Sequence, residues 1–188
     1  KRLDLDPKTY DPRTVMGMIS RAKDNLILPD VFAEQAKGEF FKEKTAEVYL
    51  LYEKLMHKAN ALDFDDIILK TVLLLQNHDD VREYYQRKFR YVLVDEYQDT
   101  NHAQYVLCAL LAGGGQNICV VGDDDQSIYK FRGATIANIL EFEKQYPGAK
   151  TIRLEQNYRS TSNILDTANA LIRNNQRRKG KELWTEQG

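Results

Sequence analysis

Cysteine is scarce in this chain. Cys108 and Cys119 are the only two in 188 residues. Two are too few for a disulfide scaffold or a zinc site. Both sit in apolar contexts, which reads as buried thiols in a reducing, cytoplasmic setting. Net charge is equally slight, −1 at pH 7. With no global field, a site for a polyanion has to be a local groove. No apolar run approaches the roughly 20 residues that span a bilayer. The opening Lys1-Arg2-Leu3-Asp4 lacks the pattern of a signal peptide. What is present is ordinary for a globular chain: 43% hydrophobic and 29% charged residues. A chain of this length buries a real core, in one or two domains.

The first half reads as helical throughout. Asp11-Pro12 is a helix start, an acid at the cap and proline at the first helical position. Val15, Met18, Ile19, Ala22 and Leu26 follow at helical spacing, with Pro29 expected to end the run. Further helices are expected over 31–37 and 39–58, then one capped by Asp63 with Asp66 three residues on, then one from about Asp79. Asp63, Asp65 and Asp66 read as capping and packing residues.

At Tyr91 the pattern changes. Strands are expected at 91–94, 118–121 and 151–154, alternating with helices at 101–112, 135–146 and 162–174. Asn101 and Gln104 resemble a cap pair, and Gly113-Gly114-Gly115 a flexible stop. Alternation at this spacing argues for βαβ units and a parallel sheet.

Chemistry gathers where these strands end. The run Tyr91-Val92-Leu93-Val94 stops at two adjacent carboxylates, Asp95-Glu96. In open α/β sheets, ligands sit outside the carboxyl ends of the strands. Consecutive residues leaving a strand point in different directions, so the two acids suit different tasks. One can hold Mg²⁺ while the other directs a water, the division of labour that phosphoryl transfer needs. The second strand ends in Gly122, which lets the backbone turn tightly, and then in Asp123-Asp124-Asp125-Gln126. Gln126 is a neutral amide suited to a phosphate oxygen or a water. Tyr129, Lys130, Phe131 and Arg132 interleave rings and cations, a mix that suits single-stranded nucleic acid. Past the third expected strand, Arg159 stands before a helix and is placed to meet an anion. The polar, basic tail from Arg173 to Lys181 reads as a solvated linker.

Three segments, Asp95-Glu96-Tyr97-Gln98-Asp99-Thr100, Gly122 to Ala134, and Gln156-Asn157-Tyr158-Arg159-Ser160, closely resemble motor motifs in order and spacing. They are those of superfamily-one DNA helicases of the UvrD, Rep and PcrA type, nearest the PcrA branch. Ala61-Leu62-Asp63-Phe64-Asp65-Asp66 is also similar to a segment of that family. The resemblance implies an α/β fold: part of a parallel-sheet, RecA-like P-loop NTPase core with an all-helical insert. The insert would be 1–88, the second half of the first lobe 89–148, and the start of the second lobe 149–188. ATP and Mg²⁺ are the implied cofactors of the parent protein. The implied partners are single-stranded and forked DNA, with repair or replication proteins.

By the same resemblance, Asp95 would coordinate Mg²⁺ and Glu96 would activate the attacking water. Gln126 would sense the γ-phosphate. Tyr158 would lie near the base, and Arg159 would reach the γ-phosphate from the second lobe. Tyr129 and Phe131 would stack single-stranded bases, with Arg132 in support. The PcrA pattern usually has tryptophan where Phe131 stands, so a smaller ring makes this contact.

The phosphate-cradling pattern G-x-x-x-x-G-K-S/T does not occur, and the only Gly-Lys pair, Gly180-Lys181, precedes Glu182. The expectation is therefore an internal fragment, inactive by itself, of an ATP-dependent helicase. Rival readings are another P-loop ATPase, such as a transporter or protein-remodelling enzyme, part of a helicase-nuclease, or a non-catalytic nucleic-acid or protein-binding module. Aromatic and basic groups after Gln126 argue against the first. In a full-length protein carrying this segment, Phe131→Ala should weaken single-strand binding by about 1–3 kcal/mol, one lost stacking platform. A fluorescence titration with unchanged affinity would take Phe131 out of the DNA site.

Overall fold

The computed structural model describes residues 3–113, 117–127, 133–174 and 180–188. It is mostly helical, with one small parallel sheet. Helix α1 (Pro12–Asp24) starts where Asp11 accepts the Thr14 N–H at 2.9 Å, with Pro12 in its first turn. It stops earlier than the apolar spacing suggests. Leu26 has φ 57°, a left-handed conformation that no helix continues through. Pro29 therefore opens the next helix, α2 (Pro29–Gln35), and does not end the first. Helices α3 (Phe40–Lys58), α4 (Phe64–Asn77) and α5 (Asp79–Lys88) follow. Asp63 and Asp66 form a reciprocal capping box at the start of α4.

The helical core is Val15, Ile19, Ala22 and Tyr49, with Phe32, Phe41 and Tyr52 packed against it. Lys23 is buried beside it. Its ammonium lies 2.7 Å from Glu53, 2.8 Å from Asp63 and 3.0 Å from Asp66. It also stands 5.1 Å from the centroid of the Tyr52 ring. An unpaired buried charge costs several kcal/mol, so the three carboxylates are what make Lys23 tolerable there. Burial alone would depress the lysine pKa. Hydrogen bonds to Asp63, Glu53 and Asp66 outweigh it and hold the ammonium above its ordinary range. The cluster ties α1 to α3 and α4 through side chains that also cap a helix.

Strand β1 (Val92–Val94) pairs parallel with β2 (Ile118–Val120), in the register Val92↔Ile118, Leu93↔Cys119, Val94↔Val120. Helix α6 (His102–Ala112) connects them, starting in a second capping box from Asn101 and Gln104. Two short helices, α7 (Ala137–Leu140) and α8 (Phe142–Gln145), replace the single helix expected at 135–146; they break at Glu141, whose φ of −99° and ψ of 2° depart from helical geometry. Helix α9 (Ser162–Ile172) comes last.

The third expected strand does not form. Residues 151–155 carry no regular structure, and Ile152 and Leu154 are 69% and 76% exposed. An alternating apolar run becomes a strand only where a neighbour offers a ladder. Here the adjoining backbone pairs instead with the C-terminal segment, in a parallel bridge between Gln156 and Trp184. Among the described residues the parallel sheet has two strands. Its Leu93–Cys119 row faces outward, with Leu93 76% exposed. Cys119 is accordingly exposed, contrary to the expectation of two buried thiols, while Cys108 is half-buried. Among the described residues no helix is long and apolar enough to cross a membrane.

The two halves are joined at several places, among them the Asn101 amide donating to Asp24 Oδ1 at 2.7 Å and the Gln86 amide donating to Leu110 O at 2.6 Å. Burial, helped by the charge of Asp65, pushes the Asp24 carboxyl up to about 6. The folded chain therefore binds that proton more tightly than the unfolded one, and stability falls as pH rises from about 4 to about 6. Asp24→Asn should remove that slope and gain about 1–2 kcal/mol near neutral pH, with little change near pH 4. Urea denaturation of both proteins across this window checks it; parallel pH profiles would contradict it.

Candidate active site

The site forms where the two strands end together. Asp95 leaves β1 exposed, its Oδ1 accepting the Glu96 N–H at 2.9 Å. Glu96 then adopts φ 50° and ψ 41°. A left-handed conformation costs a non-glycine residue about 1–3 kcal/mol and persists only where surroundings enforce it. The next residue supplies much of that enforcement. Tyr97 is buried, donates its N–H to Val121 O at 3.0 Å, and meets the Phe142 ring edge-on at 5.8 Å. Val121 in turn donates to Val94 O at 2.8 Å. Residues 97–99 close a 3₁₀ turn.

Gln98 follows, 1% exposed. Its Nε2 donates to Glu96 Oε2 at 2.8 Å and, more weakly, to Asp99 Oδ2 at 3.4 Å. Its Oε1 accepts the Asp123 N–H at 2.9 Å. Gly122 is what makes room for this: a Cβ there would fall 2.6 Å from Gln98 Oε1. The glycine thus serves a close side-chain approach, in addition to the tight turn its sequence position suggests.

Asp123 organises the second tip. Its Oδ1 accepts the Asp125 N–H, and its Oδ2 accepts the Gln126 side-chain amide at 2.7 Å. Lys181 forms an ion pair with the same carboxylate. Burial would raise the Asp123 pKa, but hydrogen bonds from Lys181 and Gln126 hold it below the usual carboxylate range. Glu96, Gln98, Asp123 and Gln126 thus form one continuous hydrogen-bonded chain across both strand ends.

Arg159 and Tyr158 stand apart. Both are exposed, between Gln156 and α9. The Arg159 N–H bonds Asn157 Oδ1, and the Tyr158 hydroxyl donates to Gln156 Oε1. Among the described residues no hydrogen bond or ion pair joins the Arg159 side chain to Asp95, Glu96 or Gln126. Tyr129, Phe131 and Arg132 lie outside the described residues. The sequence gives Gln98 no role of its own and sets Lys181 in a solvated tail, whereas Lys181 is paired with Asp123. Gln98 lies inside a recognised segment, but its partner is 25 residues away, and nothing local announces the bond.

Comparison with known proteins places the chain in a family. The UvrD/REP helicase N-terminal domain family matches residues 1–147. The ATP-dependent DNA helicase PcrA of Bacillus subtilis is 54% identical over 186 residues, 99% of this chain and 25% of the relative. That of Leuconostoc citreum is 53% identical with the same coverage. That of Staphylococcus aureus is 51% identical over 185 residues, 98% of this chain and 25% of the relative. The chain spans about a quarter of the length of these curated relatives. It belongs to the UvrD/REP helicase family, residues 1–147 matching the N-terminal domain.

Proposed function

We propose that this chain is a segment of an ATP-dependent DNA helicase or translocase. Its parent would couple ATP hydrolysis to movement on single-stranded DNA and to unwinding, at forks among other substrates, in cytoplasmic repair or replication. The observation that carries this reading is the hydrogen-bonded chain from Glu96 through Gln98 and Asp123 to Gln126, laid across the ends of two parallel strands. It supports the reading by bringing Glu96 and Gln126, the groups assigned here to the water and the γ-phosphate, to one sheet edge.

The residues fit the implied Mg²⁺. A hard carboxylate oxygen on an exposed strand tip is the donor this ion takes from a protein, which usually supplies only one or two. Asp95 is that donor. When bound, the ion neutralises charge on the phosphates. Glu96, its carboxylate fixed by Gln98, directs the attacking water. Gln126 reports the γ-phosphate from the second strand; its exposed side chain rests on Asp123 and reaches a phosphate by exchanging that partner.

The division into a helical insert at 1–88, a first RecA-like lobe at 89–148 and the start of a second at 149–188 accords with the helical first half and the sheet that begins at Val92. In this scheme Arg159 and Tyr158 belong to the second lobe and approach the nucleotide when the lobes close. Tyr129, Phe131 and Arg132 serve the DNA side of the Gln126 loop.

The test is Glu96→Gln in a full-length protein carrying this segment. DNA-stimulated ATP hydrolysis should fall by about 10²–10⁴-fold, the usual worth of a positioned base, with single-strand affinity kept. Full stimulated turnover in that variant would refute the assignment.

A further inference from the structure

Gln98 is an amide placed where only an amide satisfies every neighbour. On one side stand two carboxylates, Glu96 at 2.8 Å and Asp99 at 3.4 Å, which need donors. On the other stands the Asp123 N–H, which needs an acceptor, at 2.9 Å. A carboxylate at this position would have no proton to offer Glu96, and an apolar side chain would leave all three groups without it. The main-chain donor also fixes which end of the amide is oxygen, so its NH₂ must face the acids. Burial at 1% exposure shields the amide from water that would compete for these bonds.

Its partners are not interchangeable surface groups. One is a residue held in a left-handed conformation at the tip of β1. The other is the main chain of a residue whose carboxylate holds Gln126. A shift of the Asp123 loop therefore pulls on the Glu96 carboxylate through one rigid amide.

We infer that Gln98 is a positioning residue, which orients the Glu96 carboxylate and couples it mechanically to the loop bearing Gln126. This rests on the reading of Glu96 as the group that directs water. It goes beyond that reading by naming what sets the Glu96 rotamer and how a change at Gln126 reaches it.

Two substitutions in a full-length protein carrying this segment separate the possibilities. Gln98→Glu is nearly isosteric and keeps an acceptor for the Asp123 N–H, but it replaces the donor to Glu96 with an acceptor and sets a further negative charge beside Glu96 and Asp99. Gln98→Leu removes donor and acceptor alike. Each should lower kcat for DNA-stimulated ATP hydrolysis by about 10–100-fold, the usual cost of losing an orienting partner. KM for ATP and affinity for single-stranded DNA should stay within about twofold, because Gln98 is 1% exposed and offers a ligand almost no surface. In the Glu96→Gln background, Gln98→Glu should cause no further loss, since the carboxylate it orients is gone.

Wild-type kcat in Gln98→Glu, beside an inactive Glu96→Gln, overturns the proposal. So does a loss that appears wholly in KM, or one that adds in full on the Glu96→Gln background. Active Glu96→Gln would instead defeat the underlying assignment, whatever Gln98 does. If Gln98→Leu does not fold, by circular dichroism, Gln98→Glu decides alone.

Discussion

A single buried amide stands between the ends of two parallel strands. Through Gln98, Glu96 on β1 and the main chain of Asp123 after β2 share one side chain. The strands are only three residues each, so their ladder contributes little by itself. What holds their tips in register is the combination of that amide, the Tyr97 N–H on Val121 O, and the missing Cβ at Gly122. The left-handed Glu96 is a consequence of this arrangement. The chain must turn sharply for Tyr97 to enter the core and for Gln98 to meet Asp123.

The helical half supplies a rigid support. Lys23 and its three carboxylates lie beside the apolar cluster around Tyr49 and cross-link α1, α3 and α4. Such an ion cluster is expensive to assemble and more so to break, because removing one partner strands the others in low dielectric. From α1, Asp24 reaches the Asn101 cap at the start of α6, the helix that joins the two strands. The support thus leads from a buried ion cluster at Lys23, through the adjoining Asp24 and its hydrogen bond to Asn101, to the start of the helix between the strands.

Much of this was legible in the residues. Asp11-Pro12, Asp63 with Asp66, and Asn101 with Gln104 each announce a helix start through short-range chemistry, and each helix begins there. Asp95, Glu96 and Gln126 could be placed at one sheet edge because a parallel pair brings its carboxyl ends together. What was not legible depends on distant partners. Ile152 and Leu154 alternate like a strand but lack a neighbouring strand among the described residues. Pro29 marks a boundary without saying which helix it serves. Lys23 looks like a surface lysine of an amphipathic helix until α3 and α4 bring Glu53, Asp63 and Asp66 to it. Gln98 is a polar residue in a polar motif, and only the fold reveals that it is buried.

The most direct test of the strand-tip arrangement is amide hydrogen exchange, residue by residue, on this chain. If Gln98 clamps the second tip, the Asp123 N–H exchanges as slowly as the Val121 N–H, which is held by the ladder to Val94. An Asp123 amide exchanging at the rate of a free peptide, while Val121 remains protected, would show that the clamp does not exist.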